Sequence, residues 1–250
     1  MTDQCAVVIG VGAREGIGAA VAIKAAQEGL HVFIAGRTLE KLQVIVDLIQ
    51  QQGGHATAVV ADSTKADDIA ALFKTVAKSG MPVQLVVYNT GRNIPSPFLE
   101  SNERLFQGHW RRCVLGPTLV AQAALPLMLK QEGIHKGSLL FTGASASMRG
   151  KPLFAGFASA KAGQRALAQS LAREFSPQGI HVAHIVIDGV VEGEIVRSFG
   201  GGLGKLLLRN KGKDGALLPD EVAKNFWMVH QQAPSTWTQE LDLRPYKESF

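Results

Sequence analysis

A glycine-rich turn near the start of the chain constrains its fold more than any other feature. The turn covers residues 10–18 (GVGAREGIG); it follows an apolar run over 5–9 and leads into an alanine-rich stretch over 19–26. The apolar run predicts a buried strand and the alanine-rich stretch a helix. Together they predict a dinucleotide-binding turn, because glycines let the backbone approach a pyrophosphate that rests on the helix N-terminus. A plain strand-to-helix turn rich in glycine is the alternative, since this pattern alone is weak evidence.

Apolar, strand-like runs recur along the chain and alternate with stretches of helical spacing. Alternation of this kind, with helices over 39–52 and 161–175 for example, indicates βαβ units and a parallel sheet. Nothing in the composition marks a linker. We therefore predict one domain over residues 1–250: a Rossmann-type, doubly wound parallel β-sheet with helices on both faces. The predicted strands cover 7–9, 31–35, 56–61, 85–88, 138–141, 181–187 and a short last run over 237–243.

The composition excludes several classes of function. Hydrophobic residues make up 46% of the chain, yet it has no run of about 18 consecutive apolar residues, so no membrane span is expected. The net charge of +5 is spread along the chain, which argues against nucleic acid and fits an anionic cofactor. Cys5 and Cys113 have neither metal-binding nor redox spacing, and the early first strand leaves no room for a signal peptide. We expect a cytoplasmic protein that binds no metal.

One late segment, residues 193–218, departs from the regular pattern. It follows the sixth strand, at the edge where open α/β sheets bind ligands. A solvated loop is one interpretation; the other is a lid over the substrate, with glycine hinges and a preference for anions. Its glycine-rich and basic positions are Gly200, Gly201, Gly202, Gly204, Lys205, Arg209, Lys211 and Lys213.

Three motifs taken together resemble those of a known family. They are the glycine turn, the strand end Tyr88-Asn89-Thr90-Gly91, and Lys161 preceded by Ser159-Ala160. With them the chain resembles the short-chain dehydrogenase/reductase family over residues 5–243, nearly its whole length. The resemblance implies a nicotinamide dinucleotide cofactor and a small-molecule substrate. It also implies homodimers or homotetramers built through two long helices, here over 116–131 and 161–175.

The resemblance and the charges near the turn together assign a cofactor site. Asn89 and Gly91 match the family's Asn-x-x-Gly-like strand end, which lines that site. Asp62 falls where the family contacts the adenine amino group, although it could also be the N-cap of a helix from Thr64 onward. The residues assigned to the cofactor are Gly12, Arg14, Gly16, Ile17, Gly18, Arg37, Asp62, Asn89, Gly91, Lys161 and Gly189.

The expected ribose contact predicts NADP(H) rather than NAD(H). NAD enzymes of this fold place a carboxylate about twenty residues after the glycine turn, and here that position is Gly36, followed by Arg37. A guanidinium can bind a 2′-phosphate through two hydrogen bonds, whereas a carboxylate would repel it. Arg14 is a second candidate contact, and either arginine could instead be a solvated surface residue. Glu15 departs from the pattern, because family members that use NADP often carry a base there.

The catalytic residues that the resemblance implies are mostly replaced. The family uses a tyrosine four residues before the lysine, a serine thirteen residues before that tyrosine, and an asparagine on an earlier helix. Here those positions hold Phe157, Ala144 and Cys113, and only Lys161 remains. Phenylalanine has no proton to give, and losing a positioned general acid typically costs about 10²–10⁴ in rate. The family's usual route to carbonyl reduction is therefore not expected.

Three replacements for the missing acid remain open. A hydroxyl of Ser145, Ser147 or Ser159 could reach the substrate, Ser145 being nearest to the expected position, or each could bond local backbone instead. Lys161 could donate a proton itself if burial lowers its pKa. An iminium substrate would accept hydride with no proton needed in that step.

The expected nicotinamide side is altered as well. Asp188-Gly189 takes the place of the family's Pro-Gly, and Gly193 displaces the threonine that usually follows. His181 and His184 alternate with apolar residues and are predicted to be core or edge histidines rather than ligands. The changes thus fall on the reactive half of the site, while the adenosine half is intact.

Two functions of different class follow from these residues. One is an NADP(H)-dependent oxidoreductase with a non-standard active site, acting on a small carbonyl, imine or activated alkene. The other is an inactive NADP(H)-binding protein that serves as a sensor or as a partner in an oligomer.

Overall fold

The fold is a parallel β-sheet covered by helices on both faces. The computed structural model describes residues 3–248. Its strands are β1 (Cys5–Ile9), β2 (His31–Gly36), β3 (His55–Val60), β4 (Val83–Tyr88), β5 (Ser138–Thr142), β6 (His181–Ile187) and β7 (Glu240–Leu243). In the described residues they form one seven-stranded sheet in the order β3-β2-β1-β4-β5-β6-β7, with every neighbouring pair parallel. The predicted doubly wound sheet is confirmed, with a last strand shorter than expected.

Helices connect the strands and pack in two layers. They are α1 (Ile17–Gln27), α2 (Leu39–Gln51), α3 (Ala66–Lys78), α4 (Glu103–Trp110), α5 (Gly116–Leu129), α6 (Ala155–Phe175), α7 (Glu194–Arg197), α8 (Leu203–Lys211) and α9 (Pro219–His230). Buried side chains of α1, α2 and α9 form one hydrophobic core, and those of α3, α5 and α6 form the other. Alternate residues of β1 enter opposite cores, Val7 on one face and Val8 on the other, as the period of a strand requires.

The sheet order reverses between β1 and β4. The chain builds outward from β1 to β3, and then returns to place β4 on the other side of β1. A cleft opens at such a point, outside the carboxyl ends of the two strands, and ligands of open α/β sheets bind there. The glycine turn after β1 and Asn89 after β4 therefore meet at this cleft.

Close packing explains the glycine at the end of β2. A Cβ placed on Gly36 would lie 2.2 Å from the Val11 carbonyl oxygen and 3.1 Å from a methyl of Leu42. No side chain fits there without moving the backbone of the glycine turn. The first side chain free to face the cleft after β2 is therefore that of Arg37, which is exposed.

A π turn, Arg111–Leu115, joins α4 to α5. In a π turn the N–H of residue 117 would bond the Arg112 carbonyl, but Pro117 has no N–H, and the buried Tyr88 hydroxyl donates to that carbonyl instead at 2.6 Å. Gly116 leaves room for it, because a Cβ there would lie 2.2 Å from the Tyr88 oxygen. The turn thereby fixes the position of Cys113 relative to β4.

The helical stretch over 103–129 is long and apolar enough to cross a membrane by length and composition alone. In its most apolar window 44% of the residues are buried within the fold. The core helix of a folded domain passes the same test, so this stretch is weak evidence for a membrane span.

Candidate active site

The glycine turn is held against the end of β4. Asn89 Nδ2 donates to the Gly10 carbonyl oxygen at 3.3 Å. Gly10 has a φ of +89°, and a Cβ there would lie 2.6 Å from the backbone carbonyl oxygen of Asn89. A Cβ on Gly18 would lie 2.8 Å from Asn89 Nδ2. Asn89 thus supports the turn from behind, and both glycines are required by the close approach.

The open side of the turn has room for a ligand. No atom outside the turn lies within 4 Å of where a Cβ on Gly12 would be. Helix α1 begins at Ile17 after Gly16, and no side chain of the described residues caps its first N–H groups. Unpaired N–H groups at a helix start form an anion site. The backbone here therefore fits a dinucleotide pyrophosphate.

On the adenosine side, Asp62 is held as a carboxylate. Partial burial opposes its ionisation, but hydrogen bonds from Thr64 N (3.0 Å) and Thr64 Oγ1 (2.8 Å), and the positive charge of Arg37, outweigh that effect. The pKa of Asp62 is therefore below its ordinary value. The alternative role as N-cap is wrong: α3 begins at Ala66, and Asp62 instead closes a tight turn onto Thr64.

Lys161 is almost fully buried in α6. Its Nζ donates to the Thr142 carbonyl oxygen at the end of β5 (2.7 Å) and to Gln164 Oε1 (2.8 Å). Burial lowers the pKa of Lys161, and the nearby Cys113 thiol partly opposes that shift. A Cβ placed on Gly91 would lie 3.5 Å from Lys161 Nζ, so the ammonium group faces the strand end of the cleft.

Two polar atoms beside Lys161 lack partners. Within residues 3–248, Gln164 Nε2 and Thr142 Oγ1 are buried and make no hydrogen bond. Buried polar groups are nearly always paired, and a group left unpaired costs about 1–3 kcal/mol. Two polar atoms are therefore buried beside Lys161 in addition to the two oxygen atoms that accept its hydrogen bonds. Sequence reasoning missed Gln164, whose place one turn after Lys161 was the available signal.

An apolar cluster lies beside Lys161 and includes the three positions where the resemblance implies a tyrosine, a serine and an asparagine. Phe157, Cys113 and Ala160 are buried together, and the partly buried Ala144 packs against them. The ring of His109 meets Phe157 edge to face, with ring centroids 5.8 Å apart. Burial raises the pKa of the Cys113 thiol, which keeps it neutral and unreactive. The side chains of Phe157, Ala160 and Ala144 carry no ionisable proton, and the Cys113 thiol is fully buried.

The three candidate serines differ in what their hydroxyls bind. Ser147 Oγ donates to the Ala144 carbonyl oxygen at 2.7 Å, and Ser159 Oγ donates to the Gly156 carbonyl oxygen at 3.1 Å. Both therefore bond local backbone, which was the alternative interpretation. Ser145 is half-buried, and in the described chain its hydroxyl has no intramolecular hydrogen bond. Of the three serines, Ser145 is therefore the one whose hydroxyl is available to bond a ligand.

A buried ion pair closes the end of β6. Asp188 is 1% exposed, and its two oxygens lie 2.8 and 3.0 Å from one guanidinium nitrogen of Arg149. Arg244 approaches the same carboxylate at 3.6 Å. Next to it, Gly189 leaves room for Pro245, whose Cδ would lie 2.8 Å from an added Cβ. Sequence analysis noted Asp188 but missed both arginines, which come from other loops.

The two histidines of β6 are buried, as predicted. His184 Nδ1 lies 3.1 Å from Glu240 Oε2, and Arg165 holds the same carboxylate through two bonds. Burial lowers the pKa of His184 to about 4, so the ring is neutral near pH 7. A Cβ on Gly143 would lie 2.3 Å from His184 Nε2, so the imidazole packs under the loop that carries Ala144.

The segment over residues 193–218 contacts the glycine turn. Arg197 of α7 bonds Glu15 Oε2 at 2.7 Å and Glu192 Oε1 at 2.8 Å. Gly193 abuts the turn, since a Cβ there would lie 2.5 Å from the Glu15 carbonyl oxygen. The start of this segment therefore lies beside the glycine turn.

Comparison with known proteins agrees with this architecture. The chain matches the short chain dehydrogenase family over residues 5–200. It is 31% identical over 187 residues to YuxG, an uncharacterized oxidoreductase of Bacillus subtilis (strain 168), and that match covers 74% of this chain and 27% of YuxG. The crystal structure of a short-chain dehydrogenase from Rhodopseudomonas palustris matches with a TM-score of 0.79 and 35% identity, over 97% of this chain and 99% of that one. The chain belongs to the short-chain dehydrogenase family.

One further solved structure shares the fold at lower identity. It is the NADPH-bound short chain oxidoreductase from Pseudomonas aeruginosa PAO1, which contains an atypical catalytic center. Its TM-score is 0.85 at 21% identity, and the match covers 100% of this chain and 98% of that one. At this identity the likeness establishes the fold alone.

Proposed function

We propose that the chain is an NADP(H)-dependent oxidoreductase whose proton donor is rearranged, acting on a small carbonyl, imine or activated alkene. The observation that carries the proposal is the pairing of an open glycine turn at the cleft with a buried Lys161 bonded to Thr142 O and Gln164 Oε1. When bound, the dinucleotide supplies the hydride. The P. aeruginosa oxidoreductase with an atypical catalytic center gives a precedent for NADPH in this fold.

The adenosine half favours NADP(H) by charge. Gly36 leaves no carboxylate at the end of β2, and Arg37 is exposed beside Asp62. An exposed guanidinium at this place can bind a 2′-phosphate through two hydrogen bonds. The residues proposed to hold the pyrophosphate are the backbone of Gly12, Gly16, Ile17 and Gly18, with Arg14 at the exposed edge of the turn.

The reactive half leaves two groups able to handle a proton. Lys161 is a candidate donor because burial lowers its pKa toward the range in which it gives up a proton. Ser145 is a candidate to polarise a substrate oxygen, because its hydroxyl has no bond within the described chain. An imine that enters as the iminium ion needs neither group for the hydride step, so we place imines among the substrates.

A fluorescence titration with NADPH and NADH tests the cofactor proposal first. We expect NADPH to bind more tightly than NADH. Single-turnover oxidation of bound NADPH, followed at 340 nm with a panel of small ketones, imines and enones, then tests the chemistry. Failure to bind either dinucleotide would contradict the proposal at its first step.

The filled relay position favours one alternative, an inactive NADP(H)-binding protein. Phe157 is 6% exposed and packs on His109, so the place of the missing hydroxyl is occupied by hydrocarbon. Tight NADPH binding with no turnover on any class of the panel would favour this alternative.

We further propose that the chain forms a homodimer or homotetramer through α5 and α6, and that it is cytoplasmic. The unpaired, buried thiols of Cys5 and Cys113 fit a reducing compartment. Light scattering after gel filtration measures the oligomer directly.

A further inference from the structure

Glu15 places a negative charge in the turn proposed to hold the cofactor. It lies two residues before Ile17, the first residue of α1, and its side chain is 51% exposed. A carboxylate at this place repels the phosphates of a dinucleotide, because like charges a few ångströms apart repel even in water. A turn with Glu15 unopposed is therefore a poor phosphate site.

The structure supplies a counter-charge from a distant part of the chain. One guanidinium nitrogen of Arg197 bonds Glu15 at 2.7 Å, and another bonds Glu192 at 2.8 Å. A second ion pair, between Lys41 Nζ and Glu194 Oε1 at 3.9 Å, joins α7 to the first turn of α2. Helix α7 therefore lies beside both the glycine turn and the first turn of α2.

We propose that Arg197 is a cofactor-affinity residue: it neutralises Glu15 so that the glycine turn can accept a dinucleotide phosphate. The proposal rests on the proposed NADP(H) function. The three partners carry two negative charges and one positive charge. Loss of Arg197 leaves two carboxylates beside the phosphates, whereas loss of the Glu15 charge leaves a balanced pair of Arg197 and Glu192.

This charge count separates a charge effect from a structural one. Arg197→Ala and Glu15→Gln both break the ion pair that ties α7 to the turn. If the pair only orders α7, both variants weaken NADPH binding, Arg197→Ala the more because it also loses the bond to Glu192. If Arg197 acts by charge, Arg197→Ala weakens binding, Glu15→Gln does not, and the double variant returns to the unaltered level because its net charge here is again one negative.

The experiment is a fluorescence titration of NADPH and of NADH with the full chain and four variants. For Arg197→Ala we expect the dissociation constant to rise by about three- to tenfold at low salt. We expect that difference to shrink at 1 M salt, where the screening length falls to about 3 Å. Lys224→Ala is the matched control, because Lys224 is also an exposed cation paired with a carboxylate, Glu221, but on α9.

The outcomes distinguish the two proposals. No binding of NADPH by the unaltered chain overturns both. Binding that Arg197→Ala leaves unchanged, or that Glu15→Gln also weakens, overturns the role of Arg197 and leaves the cofactor proposal standing. A loss for NADPH alone places the charge effect at the 2′-phosphate, and an equal loss for NADH places it at the pyrophosphate; both support the role of Arg197.

Discussion

The cleft has an adenosine half at the ends of β1 to β3 and a reactive half at the ends of β5 and β6. In the adenosine half, no side chain of the described residues caps the start of α1, Arg37 is exposed, and Asp62 is held as a carboxylate by Thr64. In the reactive half, the buried Phe157 stands where the resemblance implies a tyrosine, and Asp188 is bound to Arg149 within the protein. Apart from Lys161, the residues proposed for binding differ from those proposed for the chemistry, so one half can change while the other keeps its function.

The largest expected effect comes from restoring the two missing hydroxyls. Phe157→Tyr combined with Ala144→Ser puts a proton donor and a polarising group back beside Lys161. We expect reduction of simple ketones by NADPH to rise by about 10²-fold or more, since a positioned general acid is worth that much. Phe157→Leu with Ala144→Ser is the control without the acid. An unchanged rate in the tyrosine variant would show that the reactive half has been rebuilt beyond these two positions.

Acid should destabilise the fold through two buried histidines. Burial lowers the pKa of His184, which faces Glu240, Arg165 and Lys161, and of His230, each to about 4. The unfolded chain binds protons at an ordinary pKa near 6.5, so stability is fully present above pH 6.5 and is lost as the pH falls toward 4.

Each of these histidines accounts for about 3 kcal/mol of that loss. Urea unfolding at pH 7.5, 6 and 5 measures it. His184→Gln should remove the part of this acid-induced loss of stability that His184 causes, in the reactive half. A free energy of unfolding that stays flat between pH 6.5 and 5 would contradict the prediction.

Lys161 connects the two halves, and its removal should affect both binding and stability. In Lys161→Met, Thr142 O and Gln164 Oε1 lose a charged donor. We expect a lower melting temperature from the loss of these bonds, because hydrogen bonds to charged groups contribute about 1.5–3 kcal/mol. For the same reason, loss of the proposed bond from Lys161 to the cofactor should reduce the NADPH affinity by roughly tenfold. Gln164→Leu removes a partner but keeps the ammonium group, so it should lower stability and spare most of the affinity. Equal losses of affinity in the two variants would contradict a direct role for Lys161.

A smaller, selective effect is expected at the adenosine half. Arg37→Ala should weaken NADPH binding by about five- to tenfold and leave NADH binding unchanged, because only NADPH carries the 2′-phosphate. Arg173→Ala, an exposed arginine at the far end of α6, is the control. If NADH affinity fell as much as NADPH affinity, Arg37 would be supporting the fold of the cleft rather than binding the phosphate.

Most of the fold could be predicted from local patterns in the sequence. Strands buried on both faces read as continuous apolar runs, so their positions were predicted to within a residue or two, except at β7. β7 lies at the sheet edge and is only half-buried, so its apolar signal is weak. The N-cap role for Asp62 failed because its carboxylate closes a turn two residues on, before the helix begins at Ala66.

Most of the charged residues at the candidate site are paired by contacts between parts of the chain that are far apart in the sequence. Arg197 reaches Glu15 across 182 residues of sequence, and Arg149 reaches Asp188 across 39. No spacing rule links such residues, because the sheet order alone brings their loops to the same edge. The partners of Asp188 and Glu15 were therefore beyond prediction, although both carboxylates were noted.

The amino-acid sequence by itself determined the sheet and the glycine turn, and it put Phe157 where the resemblance implies a tyrosine, because periodicity and residue chemistry are local properties. Only the tertiary structure decided which groups are buried and which charges meet. It bonded Lys161 to Thr142 and Gln164, and it set Arg197 against Glu15. Burial and Coulomb energy depend on distances in space, and for these groups the chain's folding fixes those distances.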